Sequence, residues 1–192
     1  MIEKIEQIDR AAFVFLNKHH SAFFDFIFYW ASNRWIWIPF YAFLAWFLYR
    51  KFPKQIILIL FCAALLITLS DQLASSVIKN LVLRLRPCHD PELSSQVHLV
   101  NGYCGGLYGF VSSHAANSFS LFGFISMLCG SGNRNLKWVL LAWAVLVSYS
   151  RIYLGAHFPG DVLGGMVLGL LLSILIFGIY RFASRRIYVN NT

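Results

Sequence analysis

The sequence predicts an all-α fold, a polytopic transmembrane helical bundle of five to six membrane segments. Of its 192 residues 58% are hydrophobic and only 12% are charged, and the apolar residues gather into separate runs. Those runs approach the ~20 residues that a helix needs to cross a bilayer. A soluble domain carries roughly a quarter of its residues as charges, and a small one could not hide so much apolar side chain behind so few. Lipid is the expected solvent.

Residues 1–20 place Ile2, Ile5, Ile8, Ala12, Phe13 and Leu16 at helical spacing among charged neighbours, the pattern of an amphipathic segment lying in the membrane interface. They lack the charge order and the small-residue cleavage site of a secretory signal. A transmembrane domain is expected over 21–192, with core spans at 24–49, 55–78, 114–130, 136–153 and 160–181. Asn33 and Arg34 interrupt the first span and leave two readings open. It is either one crossing, or a short re-entrant or interfacial piece at 22–32 followed by a span from Trp35 to Tyr49.

The net charge of +8 does not point to nucleic acid, because the basic residues sit largely at the ends of apolar runs. Arg50, Lys51 and Lys54 follow the first span, Arg134 and Lys137 separate the third from the fourth, and Arg181, Arg185 and Arg186 follow the fifth. Five crossings put these clusters on one face, which the positive-inside rule makes cytoplasmic. The opposite face receives the long segment 79–113 and the short connection 154–159. It also carries Lys79, Arg84, Arg86 and Arg151, positive charges that topology does not explain. The segment 79–113 reads as an ordered loop or lid, since loops of this length are usually functional or disordered and this one is rich in aromatic and apolar residues.

Three patches meet on that face. Lys79 and Arg86 are seven residues apart, about two turns, and point the same way if helix continues to the stop at Pro87. Ser112 or Ser113 can cap the third span, whose free N–H groups would form a phosphate cradle with His114 at its mouth. His157 and Asp161 are four residues apart and can share a helical face, the carboxylate holding one imidazole nitrogen while the other acts. With Arg151, the set offers three cations for phosphoryl oxygens, one histidine to attack and one to protonate a leaving oxygen. No cofactor is called for. Two histidines and an Asp could instead ligate zinc, but the surrounding cations would repel a divalent ion, so no metal is expected.

These residues resemble the motifs of the type 2 phosphatidic-acid phosphatase (PAP2) superfamily of membrane lipid phosphatases, which shares its core with vanadium haloperoxidases. Lys79, Arg86 and Pro87 match the first motif; Ser150, Arg151, His157 and Asp161 match the third. The middle motif, usually Pro-Ser-Gly-His, reads Val111-Ser112-Ser113-His114 here. The resemblance implies a PAP2-type bundle and attack by His157, oriented by Asp161, to give a phosphohistidine. It implies proton donation by His114, with Lys79, Arg86, Arg151, Ser112 and the backbone at Ser113 holding the phosphoryl group. The implied substrate is a phosphorylated membrane lipid, such as undecaprenyl pyrophosphate, lipid A, phosphatidylglycerol phosphate or phosphatidate, with water as acceptor. The implied location is the bacterial inner membrane, with the site facing the periplasm. The run from Pro87 to Glu92 and from Cys104 to Gly109 is similar to small Bacteroidetes-type members.

Other features stay open. Cys88 and Cys104 share the outer-face loop and either bridge or remain two thiols. His89, Asp90, Glu92 and His98 are either headgroup contacts or solvated loop residues. Gly165 and Gly169 form a small-xxx-small pair that serves helix packing within the chain or a homodimer equally well. Phosphotransfer to a lipid alcohol could use the same intermediate. A transporter or scaffold would need a polar path or internal repeats, and neither is evident.

Overall fold

The computed structural model describes residues 2–189; Met1 and residues 190–192, the ends of the two expected segments, lie outside the described residues. Among the described residues seven α-helices follow one another: α1 (Ile2–Asn17), α2 (Ala22–Ser32), α3 (Ile38–Lys51), α4 (Ile56–Val82), α5 (Ser113–Leu128), α6 (Arg134–Tyr153) and α7 (Pro159–Ser184). There is no strand among the described residues; an isolated bridge joins Leu85 to Tyr108 in the long loop. By length and hydropathy alone, α4 and the stretch Pro159–Tyr188 qualify as membrane spans, with mean hydropathies of 2.3 and 2.6. On α7, Leu163, Val167, Leu171, Ile174 and Leu175 point outward and are more than half exposed, as a lipid-facing surface requires.

The interruption at Asn33 is a real break. Its side chain accepts a hydrogen bond from the Trp35 N–H (3.0 Å) and starts a 3₁₀ turn over Arg34–Trp37, while Trp37 Nε1 donates back to Ala31 O (2.9 Å). The 11 residues of α2 extend only about 16 Å, too short to cross. Both ends of α2 lie at the outer end of α6, with Ser21 and Asp25 on Tyr153 and Ser32 on Arg151. The structure therefore takes the second of the two readings. The 3₁₀ turn and α3 make the first crossing, ending at Lys51, which bonds Asn133 between α5 and α6. Tyr180 near the end of α7 bonds Gln55 beside the start of α4. The three basic connections thus gather at one end, opposite the long loop.

The central packing is α5 against α7. A side chain at Gly165 or Gly169 would collide with the Ser112 or Ala116 carbonyl of α5, so these glycines are spent on helix approach inside the chain. Around them Ile59, Leu66, Phe124, Leu140 and Ile176 form a core excluded from solvent. The close approach fixes the start of α7, and so Asp161, against the start of α5. Replacing Gly169 by Val should cost roughly 1–3 kcal/mol through overpacking, read as a lower unfolding temperature in detergent; an unchanged temperature would mean the helices can separate without penalty.

Candidate active site

The site is assembled from the three outer ends of α4, α5 and α6–α7. The α6–α7 connection turns sharply at Gly155 (φ +72°), where a side chain would strike Val97, Leu99 and the His98 carbonyl. The turn brings the His157 N–H onto Arg151 O (3.1 Å). Pro159 then opens α7, and Asp161 Oδ2 accepts the Phe158 N–H (3.0 Å), so the carboxylate closes the helix start while remaining fully buried.

His157 is almost wholly buried, with Nδ1 facing Asp161 Oδ2 at 3.5 Å and Nε2 at 2.9 Å from Arg86 Nη1. Because a guanidinium can only donate, Nε2 is the accepting nitrogen and the imidazole proton belongs on Nδ1, beside the carboxylate. The nitrogen that carries the lone pair faces the cations. Burial first, then Arg86, Arg151 and Lys79, holds the His157 imidazole well below its ordinary value of 6.5.

Asp161 is engaged further by a residue whose role the sequence did not reveal. Arg84 donates to Asp161 Oδ1 (2.7 Å) and to Asp9 Oδ2 of α1 (2.7 Å), with its guanidinium over the Phe158 ring at 4.3 Å. Asp9 also accepts the Gly160 N–H (2.7 Å). One cation therefore neutralises the buried carboxylate and ties α1 to the first turn of α7. No periodicity separates Arg84 from its neighbours Lys79 and Arg86, since the expected continuous helix is absent. Helix α4 ends at Val82, Leu83 adopts a left-handed conformation (φ 54°), and Arg86 reaches His157 from an extended segment paired with Leu107 (N···O 3.1 Å). Gly109 fits the space that remains: a Cβ there would lie 2.8 Å from Asp161 Oδ2.

With Arg84 paired to two acids, Lys79, Arg86 and Arg151 face, together with Arg34, a cavity of about 1000 Å³ that His114, Ser113 and His157 also line. The buried Nε atoms of Arg86 and Arg151 have no hydrogen-bond partner. Buried donors in excess of acceptors are a demand for an anion. Ser113 stands where the family motif has glycine, and its hydroxyl accepts from Lys79 Nζ (3.1 Å) and pairs with Ser75 Oγ (2.8 Å). Ser112 takes the capping place expected of one of the two serines, and not a place in the cavity lining. Its side chain is buried and caps α5 through the Ala115 N–H, and its own N–H donates to Asp161 O (2.9 Å), so it lies outside the cavity wall. These two bonds tie the start of α5 to the first turn of α7.

The long loop is ordered. Cys88 and Cys104 are joined by a disulfide, with Cα atoms 6.0 Å apart, and Tyr103, Gly105 and Gly106 beside it line the cavity. Cys88, His89 and Cys104 also lie within 4.8 Å of one another, a grouping that could hold a metal, but the bridge occupies both sulfurs. Asp90 and Glu92 pair with Arg10 of α1; His98 bonds Asp25 (2.9 Å) and its N–H donates to the buried Asn17 (2.8 Å). These loop residues are structural ties, not groups free to meet a headgroup.

The comparisons with known proteins agree with this arrangement. The family model described as PAP2 superfamily matches residues 60–185. Two relatives named lipid A 4'-phosphatase are similar along most of the chain. The one from Bacteroides thetaiotaomicron is 40% identical over 172 residues, covering 88% of this chain and 75% of the relative. The one from Porphyromonas gingivalis is 36% identical over 186 residues, covering 96% and 78%. The fold is similar to the crystal structure of a transmembrane PAP2-type phosphatidylglycerolphosphate phosphatase from Bacillus subtilis, with a TM-score of 0.66 at 23% identity over 93% of this chain and 87% of that one.

Arg84→Lys keeps one charge but cannot bridge Asp161 and Asp9 with a planar fork. It should lower kcat about tenfold by misorienting the His157–Asp161 pair, with KM changed less than about twofold; a raised KM with kcat unchanged would assign Arg84 to substrate binding instead.

Proposed function

The chain belongs to the PAP2 superfamily, and on that footing we propose that it hydrolyses the phosphate ester of a membrane lipid through a phosphohistidine at His157. The observation that carries the reading is the orientation of His157, whose accepting Nε2 faces Arg86 at the wall of the cavity while Nδ1 faces the neutralised Asp161. Hydrolysis of lipid phosphate is the activity that the family and the phosphatase relatives support together.

In the first step Nε2 attacks phosphorus, forming an N–P bond as the ester O–P bond breaks. The developing charge on the phosphoryl oxygens meets Lys79, Arg86 and Arg151, with Ser113 assisting Lys79. Asp161 steadies the Nδ1 proton as the imidazole becomes cationic. His114, on the same cavity wall, gives its proton to the departing alcohol oxygen. Water then attacks phosphorus, His114 takes its proton, the N–P bond breaks, and inorganic phosphate leaves. The three cations supply the charge stabilisation that a metal ion would otherwise provide.

The substrate favoured is a phosphate monoester on a lipid of the lipid A kind, since two relatives that cover most of this chain bear that name. The cavity suits an amphiphile. Beyond the cations it continues between α3, α4 and α6 past Trp37, Leu60, Ala64 and Trp143, an apolar slot for an acyl chain. We place the protein in a bacterial inner membrane with the site on the periplasmic face. That orientation agrees with the basic connections at the opposite end and with a disulfide beside the site.

Purified protein should release phosphate from lipid A in excess chelator, and His157→Ala should reduce turnover at least about a thousandfold. An unimpaired H157A variant would refute the nucleophile. His114→Ala should cost about 10²–10⁴-fold, more for esters of weakly acidic alcohols. Since His157 stays neutral as pH falls through 6.5, the acid limb of kcat/KM, corrected for ionisation of the substrate, should lie below that value; an acid limb at or above it would contradict the assigned environment.

A further inference from the structure

Below the phosphoryl cradle the cavity contains a carboxylate that the reaction does not use. Asp71 lies on α4, eight residues before Lys79, and lines the same cavity together with Gln72 and Asn117. The offset is about two helical turns, which sets Asp71 deeper in the membrane than the cations. An ionisable side chain inside a membrane span is costly and calls for a specific use. Asn117 Nδ2 donates to Asp71 Oδ1 (3.3 Å), and Oδ2 has no donor among the described residues. A second rung, Ser75 to Ser113, crosses between the same two helices one turn nearer the cations.

The position relative to the chemistry gives this pair its meaning. In-line displacement sends the leaving oxygen away from His157 and toward the acid that protonates it. Asn117 follows His114 by three residues and shares its helical face, so on the proposed mechanism a leaving group passing His114 would meet the Asp71–Asn117 rung next. We propose that Asp71, held by Asn117, is a specificity-determining group that accepts hydroxyl or amide donors from the leaving headgroup and repels a second phosphoryl group placed there. The inference rests on the lipid-phosphatase reading above. It selects within that class: an ester of an N-acylated, hydroxylated sugar presents donors beside the reacting oxygen, whereas a polyprenyl diphosphate presents a second anion. A low-dielectric slot strengthens both the attraction and the repulsion.

A purely structural role for the rung makes a different prediction. Asn at position 71 has the same shape and still accepts from Asn117, so a packing function would survive Asp71→Asn without altering substrate preference. The test compares kcat/KM for lipid A, phosphatidate and undecaprenyl diphosphate in wild type and D71N. In wild type lipid A should lead and the diphosphate should trail. In D71N the lipid A to diphosphate ratio should fall by about tenfold or more, chiefly because the diphosphate improves. A ratio changed less than about twofold in a folded, active variant overturns the proposal.

Product inhibition of the unmodified protein provides a second measurement that does not depend on the variant folding. Dephosphorylated lipid A should inhibit more strongly than diacylglycerol at matched chain load; equal inhibition would overturn donor recognition at Asp71. Wild-type protein that releases phosphate from none of the three lipids would overturn the hydrolase reading itself, and the subsite with it. That result is distinct from turnover with an unchanged ratio.

Discussion

The buried Asp161 carboxylate is the constraint around which the outer half of the molecule is organised. A fully buried anion is tolerable only when its oxygens are satisfied and its charge is opposed. Asp161 meets that condition with the Phe158 N–H and Arg84, and every partner comes with a structural commitment. Arg84 has to leave α4 through the left-handed turn at Leu83, Gly109 has to lack a side chain, and α1 has to bring Asp9 to the far side of the guanidinium. The His157 ring is positioned as a by-product of these requirements, with Asp161 on one nitrogen and Arg86 on the other.

This arrangement separates two uses of positive charge that look alike in the sequence. Arg84 is neutralised and holds the carboxylate; Lys79, Arg86 and Arg151 are left in excess and make an anion site. A catalytic histidine beside an unpaired carboxylate would be drawn toward protonation and lose its lone pair. With the Asp161 charge already opposed by Arg84, burial first and then the neighbouring cations keep His157 neutral.

Much of this was legible in the residues. Apolar run length gave the later crossings, and motif spacing gave the residues that line the cavity, because both depend on local periodicity. The pairing of the extended segment at Arg86 with Leu107 did not show, since a seven-residue offset from Lys79 reads equally well as continuous helix. Arg84 was hidden because its partners are 75 and 77 residues away. Ser112 caps its own helix, as one of the two adjacent serines was expected to, but motif spacing did not show that its side chain would be buried away from the cavity. Asn33 marked the break, but only the contacts of α2 with Tyr153 and Arg151 decided between a crossing and a surface piece.

The bundle also separates charge along its axis. All eight acidic residues, from Glu3 to Asp161, lie on the half of the chain that contains the site, where eight of the 16 basic residues also lie. The other eight cluster at the opposite end without an acidic neighbour in sequence, so the whole net charge of +8 resides there. The site half is neutral overall, and the excess of cations around the phosphoryl cradle is a local feature inside a balanced field. The far end behaves as a polybasic collar. Each such charge near a membrane surface attracts anionic headgroups by about 1 kcal/mol, so the leaflet remote from the chemistry would hold the protein at a fixed depth. In the proposed orientation electrostatic anchoring would be delegated to one leaflet, and the leaflet that presents substrate would be spared a broad positive surface that retains anionic lipids indiscriminately.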